Sequence, residues 1–226
     1  MTFMDHAIKV LPMLLGGLRL TLLVTIAAGV IGIVLGLFIG LGKMSKNKLI
    51  KFLSATYINF LRGTPLLVQL LIIYAGIPQM MQIITNQPSP MPPILAAVLA
   101  CGLNSAAYVA EIFRGGIQSI DVGQIEAARS LGLSKRQAMS EVILPQAFRR
   151  IIPPLGNEFI TLLKETSILS AIGLEEMMRK GQLYVATTWQ PFPVYITVAL
   201  CYFVIVVIIS KGLSLLERKL RINVEN

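Results

Sequence analysis

Long apolar stretches alternate with short charged connections along this chain. No charged residue occurs from Leu20 to Leu41, from Gly63 to Ala110, or from Gly181 to Ser210. The middle stretch is too long for one crossing of about 20 residues, and four prolines divide it between positions 88 and 93. Another apolar segment runs from Ile151 to Leu174. The pattern predicts five transmembrane helices, at about 18–41, 61–84, 93–112, 151–173 and 193–212.

Two features near the N-terminus add detail to the first span. Residues 1–15 mix Asp5, His6 and Lys9 with apolar residues, which predicts a short amphipathic segment at the membrane surface with His6 exposed. Within the span, three glycines recur at every fourth position: Gly32, Gly36 and Gly40. Their common face is expected to let another helix approach closely.

The composition places the chain among membrane proteins. Of its 226 residues 55% are hydrophobic and 14% charged, and the mean hydropathy is +0.74. Five spans leave no room for a separate soluble domain, so residues 1–226 are predicted to form one all-α transmembrane domain. Cys101 and Cys201 lie in apolar runs without a nearby histidine, and we interpret them as packing residues rather than metal ligands. No catalytic or metal-binding residue is predicted.

The basic residues account for the net charge of +9 and orient the chain. They concentrate in the connection from Lys43 to Arg62, in the central loop, and after Ser210, including Lys211, Arg218, Lys219 and Arg221. Under the positive-inside rule these segments face the cytoplasm, which places the N-terminus outside and the C-terminus inside. Because this distribution explains the charge, we do not expect a nucleic-acid partner.

The central loop, at about 115–148, is long and polar, and its sequence predicts two short helices. Asp121 followed by Gln124 is typical of a capping box, and Gly132 is placed to end the first helix in a left-handed conformation. Ser134 with Gln137 predicts a second capping box, and Pro145 is expected to close the second helix. Periodicity alone does not distinguish two hypotheses for this loop: a simple connector, and a docking element for a partner protein.

The residues of this loop resemble a known motif. Glu126, Ala127, Ala128 and Gly132, followed by Val142, Leu144 and Pro145, resemble the EAA loop of permease subunits of ATP-binding-cassette importers, with Val142 in place of the usual isoleucine. Three further blocks resemble the polar amino acid uptake branch of these permeases, so the likeness covers nearly the whole chain: Tyr57–Gln69, Ala106–Gln118 and Ile143–Lys164.

The resemblance implies a type I importer permease in the bacterial cytoplasmic (inner) membrane. It implies that Glu126, Ala127, Ala128 and Gly132 dock on an ATPase subunit, that two permease chains form the pathway, and that an extracytoplasmic binding protein delivers amino acids. The chain lacks a GxxxxGK[ST] sequence, the loop that cradles nucleotide phosphates. We therefore expect no cofactor and no enzymatic activity in this chain, with ATP and Mg²⁺ bound by the partner ATPase.

Polar residues at helical spacing suggest where a solute binds. On the fourth segment Asn157, Glu158, Thr161, Lys164 and Glu165 share one face, and on the third Asn104, Ser105, Tyr108 and Glu111 do so. Ionisable groups at bilayer depth are expected to face protein or water. The predicted solute contacts are Asn104, Tyr108, Glu158 and Thr161, with Glu158 favouring cationic side chains.

Several alternatives stay open at this point. Lys164 and Glu165 are interpreted as a structural ion pair, and Arg62 as a structural anchor. Either residues of this chain select the solute, or selection occurs only in the binding protein. An ion-coupled secondary transporter or channel subunit would also carry intramembrane ionisable groups, and a scaffold subunit without a pathway is a third possibility. The sequence indicates neither the particular amino acid nor whether the second permease chain is identical.

Overall fold

Helices make up nearly all of the computed structural model, which describes residues 2–222 and the side chains of residues 2–219. The fold is all-α, as predicted, with ten α-helices among the described residues. The predicted position of the C-terminus and the side chain of Arg221 lie outside the described part. We call the end of the molecule that carries Lys43 and the central loop the loop end, and the other end the opposite end.

Helix α1 (Phe3–Lys43) is a single helix of 41 residues. Thr2 starts it with a capping box to Asp5, and the helix continues past Pro12. The amphipathic segment predicted for residues 1–15 is therefore the first part of this helix and not a separate element. His6 is buried, in contrast to the prediction, and its Nδ1 lies 3.1 Å from the hydroxyl of Tyr184.

The second predicted span is broken. Helix α2 (Lys48–Gly63) ends before Pro65, and the chain resumes as α3 (Leu66–Leu71), a π turn (Ile72–Gly76) and α4 (Ile77–Thr85). Pro65 has no amide proton to donate, and residues before proline avoid helical geometry. The amide of Gln69 satisfies part of the opened backbone, since its Nε2 donates to the carbonyls of Leu61 (2.8 Å) and Thr64 (3.1 Å).

Helix α5 (Pro93–Gln118) packs along α1 through the predicted glycine face. A β-carbon on Gly36 would lie 2.6 Å from Cγ1 of Val109, and one on Gly40 would lie 2.8 Å from the carbonyl oxygen of Ala110. Both separations are far below normal carbon contact. The two backbones can meet here only because α1 has no side chains on this face, which confirms the interpretation of the glycine repeat.

The central loop comprises α6 (Val122–Ser130), the single turn α7 (Lys135–Gln137) and a π segment (Ala138–Ile143) that continues into α8 (Leu144–Glu165). Pro145 was predicted to close a helix, but it lies in the first turn of α8. A proline is tolerated there because its missing amide proton is not needed for an intrahelical bond. The chain therefore stays helical from Lys135 to Glu165.

The last third of the chain begins at the opposite end of the molecule. A 3₁₀ turn (Thr166–Ile172) leads from α8 to α9 (Met177–Thr188), and α10 (Pro191–Ile222) completes the fold. The buried carboxylate of Glu176 caps α9 by accepting hydrogen bonds from the amides of Met178 (2.8 Å) and Arg179 (2.6 Å). It also accepts one from the hydroxyl of Tyr202 at 3.0 Å, which ties α9 to α10.

Within the described residues, four helical stretches are long and apolar enough to cross a bilayer: Phe3–Lys43, Leu66–Thr85, Pro93–Gln118 and Pro191–Lys219. Helix α8, which covers most of the predicted span 151–173, is not among them. It contains several charged residues, including Arg149, Arg150 and Glu158, and its last turn is followed by the 3₁₀ segment.

Candidate functional site

The turn between α6 and α7 is built by local hydrogen bonds. Gly132 has φ +85° and ends α6, while the amide of Leu133 donates to the carbonyl of Ala128 (3.2 Å) and that of Gly132 to Arg129 (3.1 Å). This is the Schellman arrangement, and it confirms the predicted role of Gly132. Asp121 caps α6 through the amide of Gly123, so Gln124 does not complete the predicted capping box.

The second half of the turn follows the prediction more closely. Ser134 and Gln137 form a reciprocal capping box at the start of α7. Beneath the loop, Ile120, Ile143, Ala147 and Ile151 form a buried apolar cluster. Local caps and this cluster together hold the loop in one shape and join it to α8.

The four predicted docking residues are not equally accessible. Glu126, Ala127 and Gly132 are exposed, whereas Ala128 is only 4% exposed and packs inside the loop. Leu131, which the sequence did not single out, is 82% exposed at the tip of the turn. A rigid turn that presents small residues and one exposed leucine suits insertion into an apolar groove of a partner.

Of the predicted solute residues, Glu158 lies where α5 and α8 meet. The hydroxyl of Ser105 donates to Oε1 of Glu158 at 2.8 Å, and the carboxylate is half-buried. A cavity of about 20 Å³ lies beside them, lined by residues that include Gly29, Val109 and Phe159. That volume holds about one water molecule. The single chain in this conformation therefore has no room for an amino acid at this point.

Tyr108 and Asn104 have different surroundings, although both lie on α5. The guanidinium carbon of Arg62 stands 5.1 Å from the centroid of the Tyr108 ring. Asn104 is 5% exposed, and its Nδ2 donates to Oε1 of Gln69 (3.0 Å) and to the carbonyl of Leu61 (3.4 Å). In this conformation the Asn104 amide supports the break between α2 and α3.

Helix α8 presents a polar line that no described residue covers. Asn157, Thr161 and Lys164 follow one another at helical spacing, and all three are exposed. The predicted ion pair of Lys164 with Glu165 is wrong, since no ion pair within 4 Å joins them among the described residues. Neighbouring residues on a helix point in different directions and do not face each other.

Glu111 was predicted to lie on the polar face of the third segment, but in the structure it forms ion pairs. Its carboxylate accepts from Nζ of Lys43 at 2.5 Å and from Nη2 of Arg114 at 2.8 Å. This network joins α1 to α5 at the loop end, beyond the end of the glycine face. Glu111 is thus an ion-pair residue between two helices, separate from the group around Glu158.

A sequence model of one family, described as "Binding-protein-dependent transport system inner membrane component", matches residues 32–222. The chain belongs to this family. It is a transmembrane permease subunit of an ATP-binding-cassette importer and not itself an enzyme, because in this family the ATPase is a separate subunit.

Similar proteins carry more specific names. The arginine transport system permease protein ArtQ of Bacillus subtilis is 40% identical over 94% of this chain and 94% of its own length. The L-cystine transport system permease protein TcyL of the same organism is 37% identical, covering 94% of this chain and 89% of TcyL.

Solved structures agree on the fold. A chain in the crystal structure of an amino acid ABC transporter with histidines matches with a TM-score of 0.89 and 46% identity, covering 97% of this chain and 99% of that one. An inward-facing MetNI methionine ABC transporter matches with a TM-score of 0.73 over 93% of this chain and 97% of that chain. At 22% identity the second likeness shows the fold alone. The type I importer permease fold predicted from the sequence is confirmed.

Proposed function

We propose that this chain is the membrane-spanning subunit of an ATP-driven importer of polar amino acids that prefers basic ones, and that it works by alternating access. The observation that carries the substrate class is Glu158, a half-buried carboxylate held by Ser105 at the α5–α8 contact. A carboxylate at such a position binds a cationic side chain with a charge-assisted hydrogen bond. The arginine permease ArtQ and the transporter crystallised with histidines support this class.

The loop supplies the connection to ATP hydrolysis. In this proposal Glu126, Ala127 and Gly132 contact a separate ATPase that binds ATP and Mg²⁺, and Ala128 supports the turn from inside. Because the chain remains helical from Lys135 to Glu165, a displacement of the docked loop is transmitted along α8 to Glu158. Between the docked residues and Lys135 the route passes only through the α6–α7 turn.

The remaining partners follow from exposure and charge. The polar line Asn157, Thr161 and Lys164 would be costly to expose to lipid, so in the proposal it faces a second permease chain and the water-filled path between the two. Asn104, Tyr108 and Thr161 remain candidate solute contacts, reached when the helices move apart. A binding protein outside delivers the solute, the loop end is cytoplasmic, and the N-terminus is outside.

Reconstitution into proteoliposomes tests this function. The complex of this chain with its ATPase should take up radiolabelled arginine or histidine only when ATP is supplied inside. Glu158→Gln should lower the preference for basic over neutral amino acids by about 10-fold or more, the value of one charge-assisted bond. Uptake driven by an ion gradient without ATP would instead support a secondary transporter or channel. An unchanged preference in Glu158→Gln would remove Glu158 from the solute site.

A further inference from the structure

We infer that Arg62 is a specificity-determining residue that binds the α-carboxylate of the solute, opposite in charge to Glu158 on the same wall. This inference rests on the proposed function and deepens it. Arg62 was interpreted from sequence as a structural anchor, and the structure gives it different surroundings. Its guanidinium lies on the ring of Tyr108, away from the α6–α7 turn, and its side chain is exposed.

The depth of Arg62 indicates that it needs a polar environment. Tyr108 lies four residues before position 112, the predicted end of the third span, which corresponds to about 6 Å along the helix. A guanidinium at this level of the predicted span is expected to face protein, water or the membrane surface, because contact with hydrocarbon is costly. In the inference, the exposed edge of Arg62 faces the aqueous path between the two permease chains.

No carboxylate among the described side chains forms an ion pair with this charge. The ion pairs within 4 Å in residues 2–219 involve Glu111 and Glu175, and none includes Arg62. Stacking on Tyr108 uses the face of the guanidinium plane and leaves its edge, with the N–H donors, available. That edge is the part of arginine that binds a carboxylate with two parallel hydrogen bonds.

Arg62 and Glu158 border the same stretch of α5. Ser105, which holds Glu158, and Tyr108, which holds Arg62, are one helical turn apart. A basic amino acid carries a carboxylate at one end and a cation at the other. A wall with one group of each charge therefore matches both ends of that solute.

The break between α2 and α3 fixes the position of Arg62. The residues on both sides of it are bound by one side chain, since Nε2 of Gln69 donates to the carbonyl of Leu61 at 2.8 Å and to the hydroxyl of Thr64 at 2.9 Å. The Arg62 backbone is thus held between two residues, Leu61 and Thr64, that both accept hydrogen bonds from Gln69. A preorganised donor costs less entropy on binding than a mobile one.

The test compares arginine with agmatine, which is arginine without its carboxylate. Binding of both is measured directly on the purified complex of this chain with its ATPase in nanodiscs, so that a binding protein does not contribute its own selectivity. Wild type should bind arginine more tightly than agmatine. Arg62→Gln should weaken arginine binding about 10- to 100-fold and change agmatine binding little. Glu158→Gln should weaken both.

Two further variants make the result unambiguous. Arg62→Lys keeps the charge without the planar fork and should retain part of the preference. It also serves as the deciding variant should Arg62→Gln not assemble. Lys48→Gln, at the other end of α2, is the matched control and should bind both ligands as wild type does. Glutamine and its decarboxylated analogue provide the same comparison for a transporter of neutral amino acids.

The inference fails if Arg62→Gln, or Arg62→Lys in its place, weakens the carboxylate-bearing and decarboxylated ligands by the same factor, because Arg62 would then only support the helices. It also fails if a wild type that imports amino acids with ATP shows no preference for the carboxylate. A wild type that imports no amino acid overturns the proposed function and this inference together.

Discussion

Two adjacent glycines of α1 should respond differently to the same substitution. A β-carbon on Gly17 would lie 2.8 Å from the carbonyl carbon of Glu176 and 2.8 Å from the amide nitrogen of Met177, both backbone atoms at the start of α9. A β-carbon on Gly16 would meet nothing within 4 Å. Gly16→Ala is therefore an internal control for Gly17→Ala on the same turn of the same helix.

The expected difference can be estimated from these contacts. Carbon atoms pack at about 3.5 Å or more, so Gly17→Ala must move α9 away by roughly 0.7 Å. Such overpacking costs about 1–3 kcal/mol. The gain in helix propensity from glycine to alanine, about 1 kcal/mol, applies to both variants and cancels in the comparison. The displacement also strains the hydrogen bond from the Met177 amide to the hydroxyl of Thr21, now 3.2 Å. Gly17→Ala should thus be less stable than Gly16→Ala by about 1–3 kcal/mol.

Thermal unfolding of the purified permease in detergent measures this difference. Cys101 is fully buried, so a thiol-reactive fluorescent dye reports its exposure on unfolding, in a background where the partly exposed Cys201 is replaced by alanine. The midpoint of Gly17→Ala should fall below that of Gly16→Ala by several degrees, at about 2–4 °C per kcal/mol for a chain of this size. Equal midpoints, or a lower one for Gly16→Ala, would refute the packing argument.

Three other changes test other contacts. Glu111→Gln should lower the unfolding midpoint, since it leaves Lys43 without its carboxylate. The free energy of unfolding is expected to fall by about 1–3 kcal/mol, and a midpoint like that of wild type would contradict this. Gly132→Ala forces an alanine to φ +85° with open space around it, at a backbone cost of about 1–2 kcal/mol. It should lower the midpoint of the isolated permease by several degrees and weaken ATPase binding in a pull-down, and unchanged binding would contradict the docking role of this turn. Gly36→Ala should separate α1 from α5 at Val109 and reduce stability by about 1–3 kcal/mol, and increased stability would show that the helices can move apart freely.

Features set by nearby residues were predictable from the sequence. Ser134 and Gln137 are three positions apart and complete their capping box without help from distant parts of the chain. Gly132 likewise adopts the left-handed conformation that its place after an alanine-containing helix indicates. The glycine repeat also predicted a close helix contact, although not that α5 makes it.

Features that depend on distant contacts were missed. Pro145 is normally a stop signal after a helix, but here the preceding π segment lets the helix continue with the proline in its first turn. The break after Gly63 depends on the amide of Gln69, a polar residue in an apolar run, and on Asn104 from α5. Gln69 next to Pro65 was the available signal. Only the fold shows that Asn104 supports this break.

The ionisable groups were predicted correctly for one residue and incorrectly for another, because distant residues determine their partners. Glu158 and Ser105 were placed on matching faces of two segments, and the structure brings them to 2.8 Å. Glu111 has the same spacing along α5, but Lys43 of α1 pairs with it. Periodicity identifies the face of a helix that is polar, whereas the neighbouring helix determines what each polar residue binds.

The close contact of α1 with α5 has a consequence for permeability. A subunit that carries solutes must not let protons and ions through the membrane beside its pathway. At Gly36 and Gly40 the two helices approach so closely that a single added carbon would overlap Val109 or the backbone of Ala110. The atoms of the two helices are already in van der Waals contact at these positions, so no gap remains there for a file of water molecules. The α1–α5 contact is therefore a barrier to ion leak at this level, and a conducting path has to run along other faces of the chain.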